Sequence, residues 1–518
     1  MKKRLMLALS CIFAVVFIFN GCQRDQGTST QRQAGPARSR ANDHVVVGMG
    51  AQPAGLDPIG PNEQPGSQVM RQIYNTLVDL DGDMNPVPSL AERWTWESPT
   101  SLRMYLRRGV RFHNGDELRA SDVQFSLDRA ALSPNVSFIT GMISRVDVVN
   151  DYEILITLDY PFVPFLLHLG HPTTSIVSER AVREQGDAYT RNPVGTGPMS
   201  FVSWTTGASI ELTRFDGHWG GPARIRNITF RFITDTSTRL IALETGEIDL
   251  MYGVPASDVA RVRSDPNMTM IQTPALGTDY IGFNFMKPPL DDARVRQAIN
   301  YAIDMDAVMR AAYFGVNEPA NGPISNLVWA SASDRLAPFT FDQARARQLL
   351  TEAGFPNGFT TTLVTNEGSP VRLDVAEVVQ NMLAQVGIRM EIQLMEWGAY
   401  LEYTAQGNHD MFILGWVTVT GDPDYGLSAL FHTDNFGNAG NRTFYSNPVL
   451  DDLLDRGRQE TDPARREQIY FQAQQIIRDD TPWIWTAVGV NLNASHPSLR
   501  GFEPIPAGHH QLWNIYFE

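Results

Sequence analysis

Histidines and paired carboxylates are the residues of this chain whose spacing suggests chemistry. His168 and His171 stand three apart, and His509 and His510 are adjacent. Either pair would bring two imidazoles to one metal ion if further ligands converged. With ten histidines in 518 residues such spacings arise by chance, and no H-E-x-x-H accompanies them, so no metal is expected. Asp291 with Asp292 and Asp451 with Asp452 offer the two acids that glycoside hydrolysis needs. Both pairs lie where helices begin, and there carboxylates favour the helix dipole. No G-x-x-x-x-G-K-[ST] phosphate loop occurs, and after Lys2 and Lys3 the only lysine is Lys287. Gly48 and Gly50 begin a dinucleotide-type G-x-G, but Pro53 stands at the third glycine position; Gly195 and Gly197 are followed by Ser200 in the same way. There is no G-x-S-x-G nucleophile elbow. The reading is of a protein with no cofactor that is not an enzyme.

Aromatic and glycine-bearing segments remain. Trp397, Tyr400 and Tyr403 form a Trp-x-x-Tyr-x-x-Tyr stretch, and Gly415-Trp416 ends the apolar run Met411 to Leu414. Most aromatics serve core packing, yet a Trp after a Gly at a strand end also suits a groove wall. The residues alone leave both readings open.

The elements that must position these residues alternate between strand and helix. Val45 to Val47 reads as a strand ending at Gly48. A helix over Asp235 to Thr245 stops at Gly246, and a short strand covers Ile248 to Met251. Apolar residues at helical spacing predict one helix from Asp292 to Tyr313. Ser369-Pro370 opens a helix with Val375, Val379 and Leu383 on one face. It lies between the strands Phe359 to Val364 and Ile388 to Leu394, an order that predicts a parallel crossover. Asp462-Pro463 opens a last helix. The fold class is α/β with mixed sheets.

The 42 basic and 57 acidic side chains give a formal charge of -15, which disfavours nucleic acid as a partner. Lys2, Lys3 and Arg4 precede an apolar run from Leu5 to Phe19, with Gly21-Cys22 behind it. That run is short for a permanent span of a bilayer about 30 Å thick and reads as an export signal over 1–21. It resembles a lipoprotein signal, which makes Cys22 the lipidation site. The polar segment 22–43 reads as a flexible tether. Cys11 and Cys22 are the only cysteines, so the exported body has no disulfide. The expected location is the cell envelope, in a periplasm or at the outer face of the cytoplasmic membrane.

Several blocks occur in a telling order: Leu90-Ala91-Glu92-Arg93-Trp94, Leu102 to Gly115 with Phe112-His113-Asn114-Gly115, Ala120-Ser121-Asp122-Val123, Pro193-Val194-Gly195-Thr196-Gly197-Pro198, Gly246-Glu247-Ile248-Asp249, Asp292 to Ala298, and Gly421-Asp422-Pro423-Asp424. Together they resemble the bacterial extracellular solute-binding proteins of family 5, the peptide- and nickel-type receptors of ABC importers. The resemblance implies a two-lobed, type II periplasmic-binding-protein-like fold with an extra α/β domain. Lobe I would combine 44–75, 191–282 and 488–518, the extra domain 76–190, and lobe II 283–487, with hinge crossings near 283 and 487. It implies a monomer that hands an oligopeptide to ABC permease subunits. An oligosaccharide or other small solute is the alternative ligand, and a secreted carboxylate-dependent hydrolase a remote one.

By position, Met49-Gly50-Ala51 and Gly415-Trp416-Val417 look like the segments that hold an extended peptide through its main chain in this family. The family's dipeptide receptors place an Asp for the ligand amine where Val419 stands here, and an Arg for its carboxylate near Asn366. Asp422 or Asp424 would have to substitute for that Asp. Trp397 and Trp416 would stack on a sugar in the alternative reading.

Overall fold

Val45 and Val47 are fully buried because the strand that holds them has parallel neighbours on both sides. The computed structural model describes residues 43–518; the expected signal over 1–21, Cys22 and the tether up to residue 42 lie outside the described residues. A ten-stranded mixed sheet dominates. Its strands in chain order are β1 (His44–Met49), β2 (Met199–Thr205), β3 (Ser209–Arg214), β4 (Asn227–Phe232), β5 (Leu250–Tyr252), β6 (Thr269–Phe283), β7 (Thr360–Asn366), β8 (Arg389–Met395), β9 (Met411–Val417) and β10 (Trp483–Ser495). Across the sheet the order is β8-β7-β9-β6-β10-β5-β1-β4-β3-β2. β1 runs parallel to β4 and β5, whereas β6 is antiparallel to both β9 and β10.

The helices that matter for the site are α1 (Gln64–Ile73), α2 (Ala293–Tyr301), α3 (Met305–Ala311), α4 (Pro370–Ala384), α5 (Trp397–Ala405) and α6 (Pro423–Phe431). α4 joins β7 to β8, which pair in parallel from Thr360↔Arg389 to Asn366↔Met395, as the sequence pattern predicts. The single helix expected from Asp292 to Tyr313 is instead two. Asp304 accepts a hydrogen bond from the Ala307 amide at 3.1 Å and caps α3, a local alternative that interrupts the ladder and restarts it.

The Arg103-bearing segment is the strand Ser101–Leu106 of a separate four-stranded antiparallel sheet. The helix after it, Ala120–Leu132, is capped at Arg119, whose amide donates to Asp122 Oδ2. A hydrophobic core from Leu77 to Ile176 lies between them. Several cores flank the large sheet, two of them at its opposite ends. One gathers Val45, Ile73, Ile228 and Leu250, the other Ile281, Val375, Ile413 and Ile484. β6 and β10 run from one region to the other. Their register slips between Pro274 and Thr278, where Gly277 and Gly489 pack backbone on backbone; a Cβ at Gly489 would lie 3.1 Å from Gly277 Cα.

Candidate functional site

A cavity of about 340 Å³ opens where the end of β1, the start of α1, the loop after β7 and the end of β9 converge. Eight of the residues expected to bind ligand line it: Gly50, Ala51, Asn366, Trp397, Gly415, Trp416, Val417 and Val419. The fold brings them together because β9 meets β6 on one edge, Gly415 opposite Asp279 and Trp416 opposite Thr278. On its other edge the ladder to β7 covers only Leu363↔Met411 and Val364↔Phe412. Past Ile413 that edge of β9 has no strand partner among the described residues, a template for an added extended chain. A Cβ at Gly415 would overlap Asp279 Oδ1 and force that carboxylate to shift.

Two of the expected residues are placed elsewhere. Met49 sits inside β1, 1% exposed, with its side chain in the core. Its carbonyl accepts from the Ile233 amide at 2.9 Å, and the residue does not line the cavity. Asp422 is bound by Arg466 through two bonds of 2.7 Å and also caps α6. Asp424 pairs with Arg458 at 3.2 Å. Neither lines the cavity, so neither substitutes for the missing Asp. Val419 packs against Ile139, Tyr425 and Ala507.

The charges of the site come from residues that sequence reading missed. Glu63, Arg239, Arg372 and Arg442 line the cavity, together with Glu367. Glu63 is 6% exposed and has no ion pair among the described residues. Its carboxylate accepts from Trp397 Nε1 at 2.6 Å and from the Ala54 amide at 3.0 Å. Burial pushes its pKa up to about 7, with the hydrogen bonds opposing. Arg372 donates from Nη1 to Asn366 Oδ1 at 2.6 Å. Arg239 serves as a staple, donating to the carbonyls of Ile233 and Gly253 and to Thr236 Oγ1; burial lowers its pKa to about 10. Glu63 left one sequence signal: it stands at the N-cap of α1, before Gln64-Pro65.

Three buried polar atoms in the lining, Trp416 Nε1, Tyr252 Oη and Gln64 Oε1, have no hydrogen-bond partner among the described residues. Native interiors satisfy most such groups, so the wall is built for a polar guest. His171 also lines the cavity, with Nε2 3.0 Å from Tyr425 Oη, and burial keeps its pKa well below the usual value. His168 lies 3.6 Å from Asp424. Among the described residues no cluster of three metal-type ligands occurs. A broader depression at Asp116, Arg119, Glu179 and Arg180 is shallow, and its side chains are already paired, Arg119 with Glu117 and Arg180 with Asp116.

The sequence profile of the bacterial extracellular solute-binding proteins, family 5, matches residues 85–438. The chain belongs to this family. It is 34% identical to the glutathione-binding protein GsiB of Pectobacterium atrosepticum over 473 residues, 89% of this chain and 92% of that one. The GsiB of Escherichia coli O1:K1 is 32% identical, over 90% and 93%. Among solved structures, the periplasmic binding protein DppA of Helicobacter pylori in complex with the peptide STSA superposes with a TM-score of 0.88 at 29% identity, covering 92% of this chain and 98% of that one. The oligopeptide-binding protein AppA of Bacillus subtilis, in complex with a nonapeptide, gives 0.87 at 26%, covering 92% and 99%. The family 5 fold is thus a type II binding-protein fold, and its members are solute-binding proteins. No helix among the described residues is long and apolar enough to cross a membrane.

Proposed function

We propose that this family 5 protein is the capture receptor of an ABC importer, that its ligand is a short peptide of two or three residues, and that it hands the peptide to the permease subunits without altering a bond. One observation carries the reading: the unpaired edge of β9 and the end of β1 face one cavity that also holds both a carboxylate and guanidinium groups. Strand-like main-chain pairing gives affinity without reading side chains, and the opposite charges suit a zwitterion. A volume of about 340 Å³ is at the low end of small-molecule sites, about 300–1,000 Å³, which favours a short guest over an extended nonapeptide. A neutral oligosaccharide would leave Glu63 and Arg372 without counter-charges.

In this reading the segments 44–75, 191–282 and 488–518 move as one lobe with the domain 76–190, and 283–487 as the other. The Gly277–Gly489 contact in the β6–β10 bulge is the natural bending point, six and two residues from the positions near 283 and 487 that the family resemblance implies. Cys22 carries the lipid anchor once 1–21 is removed. Mass spectrometry of natively purified, unwashed protein tests the assignment. Co-purifying di- or tripeptides are expected; a single co-purifying glycan would overturn it.

A further inference from the structure

Arg442 is 8% exposed and lines the cavity beside Leu401 of α5 and Leu414 of β9. Its Nε donates to Thr404 Oγ1 at 3.1 Å and its Nη1 to the Gly437 carbonyl at 2.9 Å. Nη2 has no acceptor, and no carboxylate lies within 4.0 Å of the guanidinium, among the described residues. Two other buried arginines of this half have their forks filled: Arg466 is clamped by Asp422, and Arg296 donates from Nε, Nη1 and Nη2 to the carbonyls of Leu290, Asp291, Asp480 and Thr481. A guanidinium taken out of water without a counter-charge is costly unless an anion completes it.

A second cation is close by. Arg372 lines the same cavity and also makes no ion pair among the described residues. Both guanidiniums act electrostatically on the same two buried phenols, Tyr280 and Tyr400, so they serve one region of the site. Tyr280 Oη is itself buried without a partner. The Asp279 carboxylate acts on Arg372, whereas the groups favouring the charge on Arg442 are phenols; a terminal carboxylate that engages one arginine fork leaves the other to a second anionic group.

We propose that Arg442 forms a second anion subsite, beside the one at Arg372, and that the ligand is a short peptide carrying an acidic side chain in addition to its terminal carboxylate. The proposal rests on the peptide reading above and narrows it to a substrate class. Arg442 acts as a specificity residue, and the Thr404 and Gly437 bonds hold its fork in place.

The test uses stripped full-length protein and an equimolar mixture of alanine tripeptides in which Glu replaces Ala at each position in turn, together with the Gln counterparts and trialanine. Retained peptides are quantified by mass spectrometry. Wild-type protein is expected to retain the best Glu member at least about tenfold over its Gln counterpart, the scale of one charge-assisted contact. Arg442→Met should bring that ratio close to one, and Arg442→Lys should restore part of it. Equal retention of Glu and Gln members by the wild type overturns the subsite while leaving the peptide reading intact, and this arm stands even if Arg442→Met fails to fold. A wild-type ratio kept in folded Arg442→Met also overturns it. Retention of no peptide at all overturns the parent reading, and the subsite with it.

Discussion

Glu63→Gln separates the electrostatic cost of the site from its hydrogen bonds. Glu63 titrates near 7 in the folded protein against about 4.3 in an unfolded chain. The folded state therefore binds the extra proton between those values. Stability supplied by the protonated form is fully present below the unfolded value and is lost as pH rises through about 7. Across the window separating the two values, each step of one in pH removes about 1.4 kcal/mol. Between pH 5 and pH 8 the ligand-free protein should therefore lose about 2–3 kcal/mol from this one group. Glutamine cannot ionise, so the variant lacks that loss. It also turns one accepted hydrogen bond, from the Trp397 indole or the Ala54 amide, into a donor facing a donor, at about 1 kcal/mol; this cost hardly depends on pH and cancels in the comparison. Urea unfolding of stripped wild-type and variant protein at pH 5, 6, 7 and 8 gives the slopes directly. The variant's curve should be flatter than the wild type's by about 2–3 kcal/mol over this range. Parallel curves would show that Glu63 is ionised throughout and that the cavity does not desolvate it.

Trp397→Phe removes the donor that opposes burial, so the same urea series should place the midpoint of the Glu63 transition above 7. Gly415→Ala puts a methyl group onto Asp279 Oδ1 in a paired strand; overpacking of about 1–3 kcal/mol and loss of co-purifying ligand are expected, measured by unfolding and mass spectrometry. Asp422→Asn strands the Arg466 charge in the interior and should cost about 3–5 kcal/mol, with the species of bound ligand unchanged because Asp422 lies outside the cavity. Gly489→Val meets the Gly277 backbone; in X-ray scattering the change in radius of gyration on adding ligand should shrink relative to wild type, and an unchanged response would place the bending point elsewhere.

Local signals survive in sequence where the force that shapes an element is itself local. Asp462 was legible as a helix start because its carboxylate caps the Arg465 amide three residues on. The β7-α4-β8 crossover was legible because one helix face repeats Val375, Val379 and Leu383, all fully buried. Asp304 was missed because its cap competes inside an unbroken apolar pattern. Gly415-Trp416 stood out as a candidate wall by its place at a strand end. Met49 and Asp422 look equally suitable in one dimension. What removes them is a side chain sunk in the core, off the cavity, and a carboxylate already bonded to Arg466, 44 residues away.

From its residues alone the chain determined its class, its acidic surface and, through ordered blocks, its kinship with solute-binding proteins, because composition and short-range patterning suffice for those. Only the tertiary structure decided which charges face the guest. Glu63 and Trp397 are 334 residues apart, and whether a buried charge is paired or left for a ligand depends on which distant groups the fold brings within a few ångströms.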